Sequence, residues 1–109
     1  MEIINYEDFK KLDIRVGTVL ESEKVEKSDK LLKFKLDVGK KNPIQILSGI
    51  SKYYSPESLI GKQLLVLVNL APRSMMGFES QGMVLAALDG DTVFLVQPEK
   101  LITAGSPVS

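Results

Sequence analysis

The stretch Leu32-Lys33-Phe34-Lys35-Leu36-Asp37-Val38 alternates without a break. Leu32, Phe34, Leu36 and Val38 fall on one side of an extended chain, and Lys33, Lys35 and Asp37 on the other. The segment therefore reads as a half-buried β-strand with apolar groups inward and charges outward. Gly39-Lys40-Lys41-Asn42-Pro43 then turns the chain into a second strand over Ile44–Ser48. On the N-terminal side, Ile14, Val16, Thr18 and Leu20 alternate with Arg15, Gly17, Val19 and Glu21, which predicts a strand over Asp13–Glu21 with Gly17 marking a bend or bulge. Further on, Leu64–Val68, Met83–Leu88 and Thr92–Val96 are short apolar runs, the last two separated by the hairpin signal Asp89-Gly90-Asp91.

Helical signals are few. Asn5, followed three residues later by Asp8 and then by Phe9 and Leu12, predicts a short capped helix that plugs one end of the core. Ser55-Pro56-Glu57-Ser58-Leu59-Ile60-Gly61 predicts one helical turn between strands, with Ser55 as N-cap, Pro56 at the first position and Gly61 as terminator. Five or six short strands with one intervening helix predict an all-β fold, a small closed barrel of five strands. Closure disposes of edges that would otherwise aggregate, and an OB-type barrel is the most economical arrangement. Residues 1–109 read as a single domain, with a C-terminal extension, Gln97–Ser109, lying over the barrel or a neighbour.

Composition narrows the chemistry. A chain of 109 residues with 44% hydrophobic content supports one core. It holds neither cysteine nor histidine, so thiol catalysis, disulfide scaffolding and Cys- or His-based zinc sites are excluded, and no catalytic residue, metal or cofactor is expected. The carboxylates Asp89 and Asp91 are explained by turn chemistry more simply than by hydrolysis. No run approaches the ~18 apolar residues of a membrane span, and the N-terminus lacks a basic region followed by a long apolar stretch. A soluble cytoplasmic protein is the expectation.

Net charge is zero, yet residues 10 to 62 hold twelve of the fourteen cations against seven of the fourteen carboxylates, a local excess of five. That excess gives part of the surface a basic character, or merely keeps strands soluble and blunts an edge.

Asn69-Leu70-Ala71-Pro72-Arg73-Ser74-Met75-Met76-Gly77-Phe78-Glu79-Ser80-Gln81-Gly82-Met83 reads as one exposed loop between buried strands. Arg73, Ser80 and Gln81 supply donors, the methionines a soft apolar floor, and Gly77 and Gly82 leave room for a ligand backbone. Other readings stand beside these: Met83 as core, Asn69 as partner of a strand-end backbone group, Met75 or Met76 as cover for the barrel rim.

Asp13-Ile14-Arg15-Val16-Gly17, Asp29-Lys30-Leu31, Ser48-Gly49-Ile50, Asn69-Leu70-Ala71-Pro72-Arg73 and Gly77-Phe78-Glu79-Ser80-Gln81-Gly82-Met83-Val84-Leu85-Ala86-Ala87 stand in an order and spacing that resemble the tRNA-binding domain family. That module is appended to many methionyl-tRNA synthetases, and it occurs as synthetase beta subunits, as stand-alone tRNA-binding proteins and as a small secretion chaperone. The resemblance runs from about Asp8 to Val108. It implies an OB-fold that binds tRNA without catalysis, with Lys30 and Arg73 as the RNA-facing cations and Asn69, Ser80, Gln81 and Met83 lining the adjacent groove. It also implies a homodimer formed through the C-terminal extension, and a methionyl-tRNA synthetase catalytic subunit as a possible partner. A methionine start favours a free-standing protein or beta subunit. Two departures stand out: Ser74 replaces a lysine common after the arginine, and Glu26-Lys27-Ser28 replaces a common His-Pro before Asp29-Lys30-Leu31. Lys33 and Lys35 are expected to compensate. The chaperone branch offers the alternative, a dimer whose Met75, Met76, Phe78 and Met83 hold apolar peptides.

Overall fold

The computed structural model describes all residues from Met1 to Ser109. Strands β1 (Ile14–Lys24), β2 (Leu32–Asp37) and β3 (Ile44–Ser48) form an antiparallel meander, and β4 (Gln63–Leu67) joins the other side of β1. Two hairpins follow, β5 (Arg73–Met75) with β6 (Phe78–Ser80), and β8 (Ala86–Asp89) with β9 (Thr92–Leu95), flanking β7 (Met83–Val84); β10 (Pro107–Val108) ends the chain. The main sheet runs β3-β2-β1-β4-β7, with β10 added on β1. This is the expected all-β, nearly closed five-stranded barrel. Burial along β2 alternates as its sequence predicts, sending Leu32, Phe34 and Leu36 into a core shared with Ile44, Ile46, Leu64 and Val66.

β1 is long because it serves two sets of partners. Its first half pairs with β4, its second half with β2, and an extra residue at Leu20 shifts the register between Val19 and Glu21. Such a bulge bends the strand where the barrel turns its corner. The bend therefore sits at Leu20 and not at Gly17, whose reason is space: a Cβ there would lie 3.0 Å from Val66 Cγ2 and 3.1 Å from Val38 Cγ1.

The barrel's last seam, from β3 to the β6–β7 segment, is sewn largely by side chains. Gln45 N–H donates to Gln81 Oε1 at 2.8 Å and Leu47 N–H to Ser80 Oγ at 3.0 Å, while Gln81 N–H donates to Gln45 O at 2.7 Å. Backbone donors on β3 that a sixth ladder would otherwise satisfy are thus met. Ser80→Ala leaves the Leu47 N–H, in a residue 5% exposed, without its acceptor. Loss of about 1–3 kcal/mol in urea-unfolding free energy is expected.

Three expectations need correction. Helix α1 (Tyr6–Lys10) is capped by Asn5 Oδ1 accepting from Asp8 N–H at 3.0 Å, but it buries no residue and does not plug the core. The apolar run Met83–Leu88 is not one buried strand. Leu85 bonds Leu65 O and accepts from Val96 N–H, after which the chain swings away and Ala86, Ala87 and Leu88 stand exposed. The 3₁₀ turn at Pro56–Leu59 forms, but Ser55 makes no side-chain cap; Ser58 Oγ donates to Ser55 O instead.

The C-terminal extension lies on its own barrel. Gln63, 8% exposed, clasps Ile102 twice, accepting its N–H at 3.0 Å and donating to its O at 2.7 Å. Gly105 N–H donates to Val16 O at 2.7 Å, Val16 N–H to Ser106 O at 2.9 Å, and β10 extends the pairing along Ile14 and Arg15.

Candidate nucleic-acid interface

Asn69–Met83 is not a loop but a hairpin on a short stalk. Met76 and Gly77 form its two-residue turn with φ of 51° and 83°, both positive, as the tightest hairpin turns require. The Met-Gly pair was the overlooked signal, since glycine is the usual marker there and methionine is not. Gly77 therefore serves the turn. Gly82 serves a close approach to the chain itself, for a Cβ there would lie 2.6 Å from Leu67 O.

The register Met75↔Phe78 and Arg73↔Ser80 puts these four on one face of the hairpin. Met75 from that face packs against Val25, Leu31 and Leu47, a small cluster separate from the main core. Val25 and Leu31 bracket the β1–β2 connection that carries Lys30. Two motifs 40 residues apart in the chain are thereby fixed side by side, Lys30 in one and Arg73 in the other. The Lys30 loop is itself rigid: Ser28 Oγ accepts from Leu31 N–H at 3.2 Å and Lys30 N–H at 3.3 Å, and Ser51 donates from N–H to Lys30 O and from Oγ to Asp29 O. In OB barrels, loops in these two positions flank the nucleic-acid face.

The seven residues expected at the interface divide by what else they do. Lys30 and Arg73 are exposed and enter none of the chain's ion pairs, and Met83 is 43% exposed at the mouth beside Leu67. Gln81 spends Oε1 on β3 and keeps its amide N–H groups. The other three are committed to partners within the chain. Ser80, 4% exposed, accepts from Leu47 and donates to Gly82 O at 3.2 Å. Asn69 clamps the α1–β1 junction, accepting from Asp13 N–H at 2.9 Å and donating to Lys11 O at 2.6 Å. Lys33 Nζ sits 2.9 Å from Glu23 Oε1 and 4.1 Å from the centre of the Phe78 ring. Phe78, 37% exposed beside that ammonium, lies on the same surface; by sequence it is expected only in the apolar-peptide alternative and not among the RNA-facing residues. Arg15, in the first of the family-like motifs, is forked onto Asp13 at 3.0 and 3.2 Å, and that carboxylate raises its pKa above the ordinary arginine value.

Residues 14–107 match the family described as "Putative tRNA binding domain". The chain belongs to this tRNA-binding domain family. Among curated relatives, a methionine–tRNA ligase from Methanosarcina mazei is 49% identical over 109 residues, covering 99% of this chain and 15% of the ligase. The chain thus spans under a fifth of that relative's length. A MetRS-related protein from Pyrococcus horikoshii superposes with a TM-score of 0.93 at 34% identity, covering all of both chains. The chaperone CsaA from Bacillus anthracis gives 0.89, also at 34% identity, over 99% of this chain and 100% of the other. Within this tRNA-binding domain no helix is long and apolar enough to cross a membrane.

Proposed function

We propose that residues 1–109 act as one non-catalytic unit that grips folded tRNA through backbone contacts and raises its local concentration for a methionyl-tRNA synthetase in the cytoplasm. The unit would serve that enzyme as an extension, a beta subunit or a free-standing partner. The observation that carries this reading is the pairing of two unneutralised cations, Lys30 and Arg73, on connections made rigid by one shared apolar cluster. Rigid placement matters because phosphates of a folded RNA sit at fixed separations, so the cost of ordering the protein is small. Arg73 can fork onto a phosphate, Lys30 adds a point charge, and Met83 and the free amide of Gln81 lie beside them. Ser80, Asn69 and Lys33 support the interface by shaping it. The named functions of the relatives favour this reading.

Arg73→Ala should weaken tRNA binding by about 1–3 kcal/mol, roughly five- to 150-fold, with thermal stability nearly unchanged. Fluorescence titration and a melting curve on the same sample test both halves, and equal affinity of variant and parent removes Arg73 from the interface.

We further propose that the domain works as a homodimer. The β8–β9 hairpin and the tail after it leave Leu88 75%, Phe94 51%, Leu101 79% and Ile102 47% exposed, large apolar side chains that a second copy would cover. The second reading, a chaperone-like dimer for apolar peptides, is favoured by the likeness to CsaA and by exposed Met76, Phe78 and Met83. Salt separates the two: tRNA affinity should fall steeply with ionic strength, apolar peptide affinity should not.

A further inference from the structure

The outer face of the barrel should be its most basic surface, since Lys33 and Lys35 project from β2 opposite the buried Leu32, Phe34 and Leu36. The register across β1 and β2 removes that charge. Glu23 stands directly opposite Lys33 and Glu21 opposite Lys35, two consecutive rungs of opposite sign. On the first rung the groups touch, Glu23 Oε1 to Lys33 Nζ at 2.9 Å, and the ammonium also rests over Phe78 at 4.1 Å. All four charges line one depression of about 310 Å³ on the sheet.

We infer that Glu21 and Glu23 are specificity determinants: they cancel the β2 lysines and so bar single-stranded RNA from the outer sheet face, leaving the loop cations Lys30 and Arg73 to folded RNA. This rests on the RNA-binding reading above. A groove that binds single strands needs cations tracking the backbone and an aromatic for a base to stack on. Lys33 and Lys35 are those cations and Phe78, beside the Lys33 ammonium, is the aromatic at the groove's edge; within the depression the facing carboxylates make the charge neutral. A single strand laid in that depression meets two negative and two positive charges, with Asp37 adding a further carboxylate along β2, and gains no counterion release. Folded tRNA presents its phosphates to Lys30 and Arg73, which face no such partners. Discrimination is thus set by repulsion of the wrong ligand as much as by attraction of the right one.

The test is the full chain with Glu21→Gln and Glu23→Gln together, titrated with tRNA and with an oligouridine of ~12 nucleotides at two ionic strengths. Glu23's side chain is 65% exposed, so the amide should be accommodated without unfolding, and a melting curve checks this. Oligouridine affinity should rise about tenfold while tRNA affinity rises less than about threefold, and the salt slope for oligouridine should steepen by roughly 0.7 for each freed lysine. Adding Lys33→Met and Lys35→Met should abolish the gain. Glu7→Gln with Glu57→Gln makes the same change in net charge away from both the β2 face and the Lys30 and Arg73 connections, and should reproduce little of it. Equal gains from that control, equal gains for the two RNAs, or no gain for oligouridine would each overturn the inference. A parent protein that binds no tRNA at low salt sinks the functional proposal instead, and the oligouridine comparison still decides the role of the two glutamates.

Discussion

Gly105→Ala should destabilise the domain by about 3 kcal/mol, lowering its melting temperature by roughly 12–20 °C. Where β2 ends and the tail returns, Gly39 and Gly105 cross with their backbones in contact. A Cβ on Gly105 would lie 2.6 Å from Gly39 Cα and 2.7 Å from Val38 O, and one on Gly39 would lie 2.8 Å from Gly105 Cα. Every obstacle is backbone, so no side-chain rotation relieves it. Both residues also hold positive φ, 81° and 88°, which adds a conformational cost of about 1 kcal/mol for an alanine. Gly61 provides the control: its φ is 86° but nothing lies within 4 Å of its would-be Cβ, so Gly61→Ala should show the conformational cost alone. If Gly105→Ala and Gly61→Ala melt together, the crossing is not tight. Gly39→Ala with Gly105→Ala should cost less than the sum of the two, because either one already forces the crossing apart. The tail is the part expected to loosen, since Val16 bonds to Gly105 and Ser106 just beyond the contact.

Such a crossing was not legible in the sequence, because two glycines 66 residues apart carry no periodic signal. What was legible was whatever repeats locally. The strict alternation over Leu32–Val38 and the turn residues after it placed β2 and β3, and Asp89-Gly90-Asp91 placed the β8–β9 hairpin. Apolar runs without alternation were harder. Met83–Leu88 looks buried throughout, but apolarity cannot say whether a run faces its own core, and Ala86–Leu88 lie outside it. At the candidate interface, residue type gathered one group of side chains without telling those left free for a ligand from those the fold itself uses. Ser80, Gln81 and Asn69 have free donors on paper, yet their hydrogen bonds go largely to Leu47, Gln45, Asp13 and Lys11, 33 or more residues away in sequence in each case. A polar side chain in a motif serves the fold as readily as the ligand, and only the pairing across the barrel seam decides between them. Lys33 shows the same for charge: its outward direction was predicted, its cancellation by Glu23 depends on strand register.

Phe94→Glu combined with Leu101→Glu should convert the protein from dimer to folded monomer and reduce tRNA affinity on the order of a hundredfold. Among the cations expected at the interface, one barrel leaves only Lys30 and Arg73 outside an ion pair, and each charge-assisted contact yields about 1.5–3 kcal/mol before the cost of association is met. A lone barrel should therefore bind weakly. Two-fold pairing presents a second copy of the same cations at an effective concentration of order millimolar, with no new kind of contact. Removing the tail would be a poor way to break the pair, because Gln63 holds Ile102 and β10 completes β1, so deletion would damage the barrel itself. Phe94 and Leu101 are 51% and 79% exposed, and charging them should leave the circular dichroism and melting curve of each barrel nearly as they were. Sedimentation at micromolar concentration reads the oligomeric state, and titration at one ionic strength reads the affinity. Monomers that bind as tightly as the parent would show that one barrel suffices; a parent that is itself monomeric would end the dimer proposal. If both hold as expected, Arg73→Ala in the monomeric background should lose less in absolute affinity than in the dimer, because in the dimer each substitution removes two guanidinium groups from the same bound RNA.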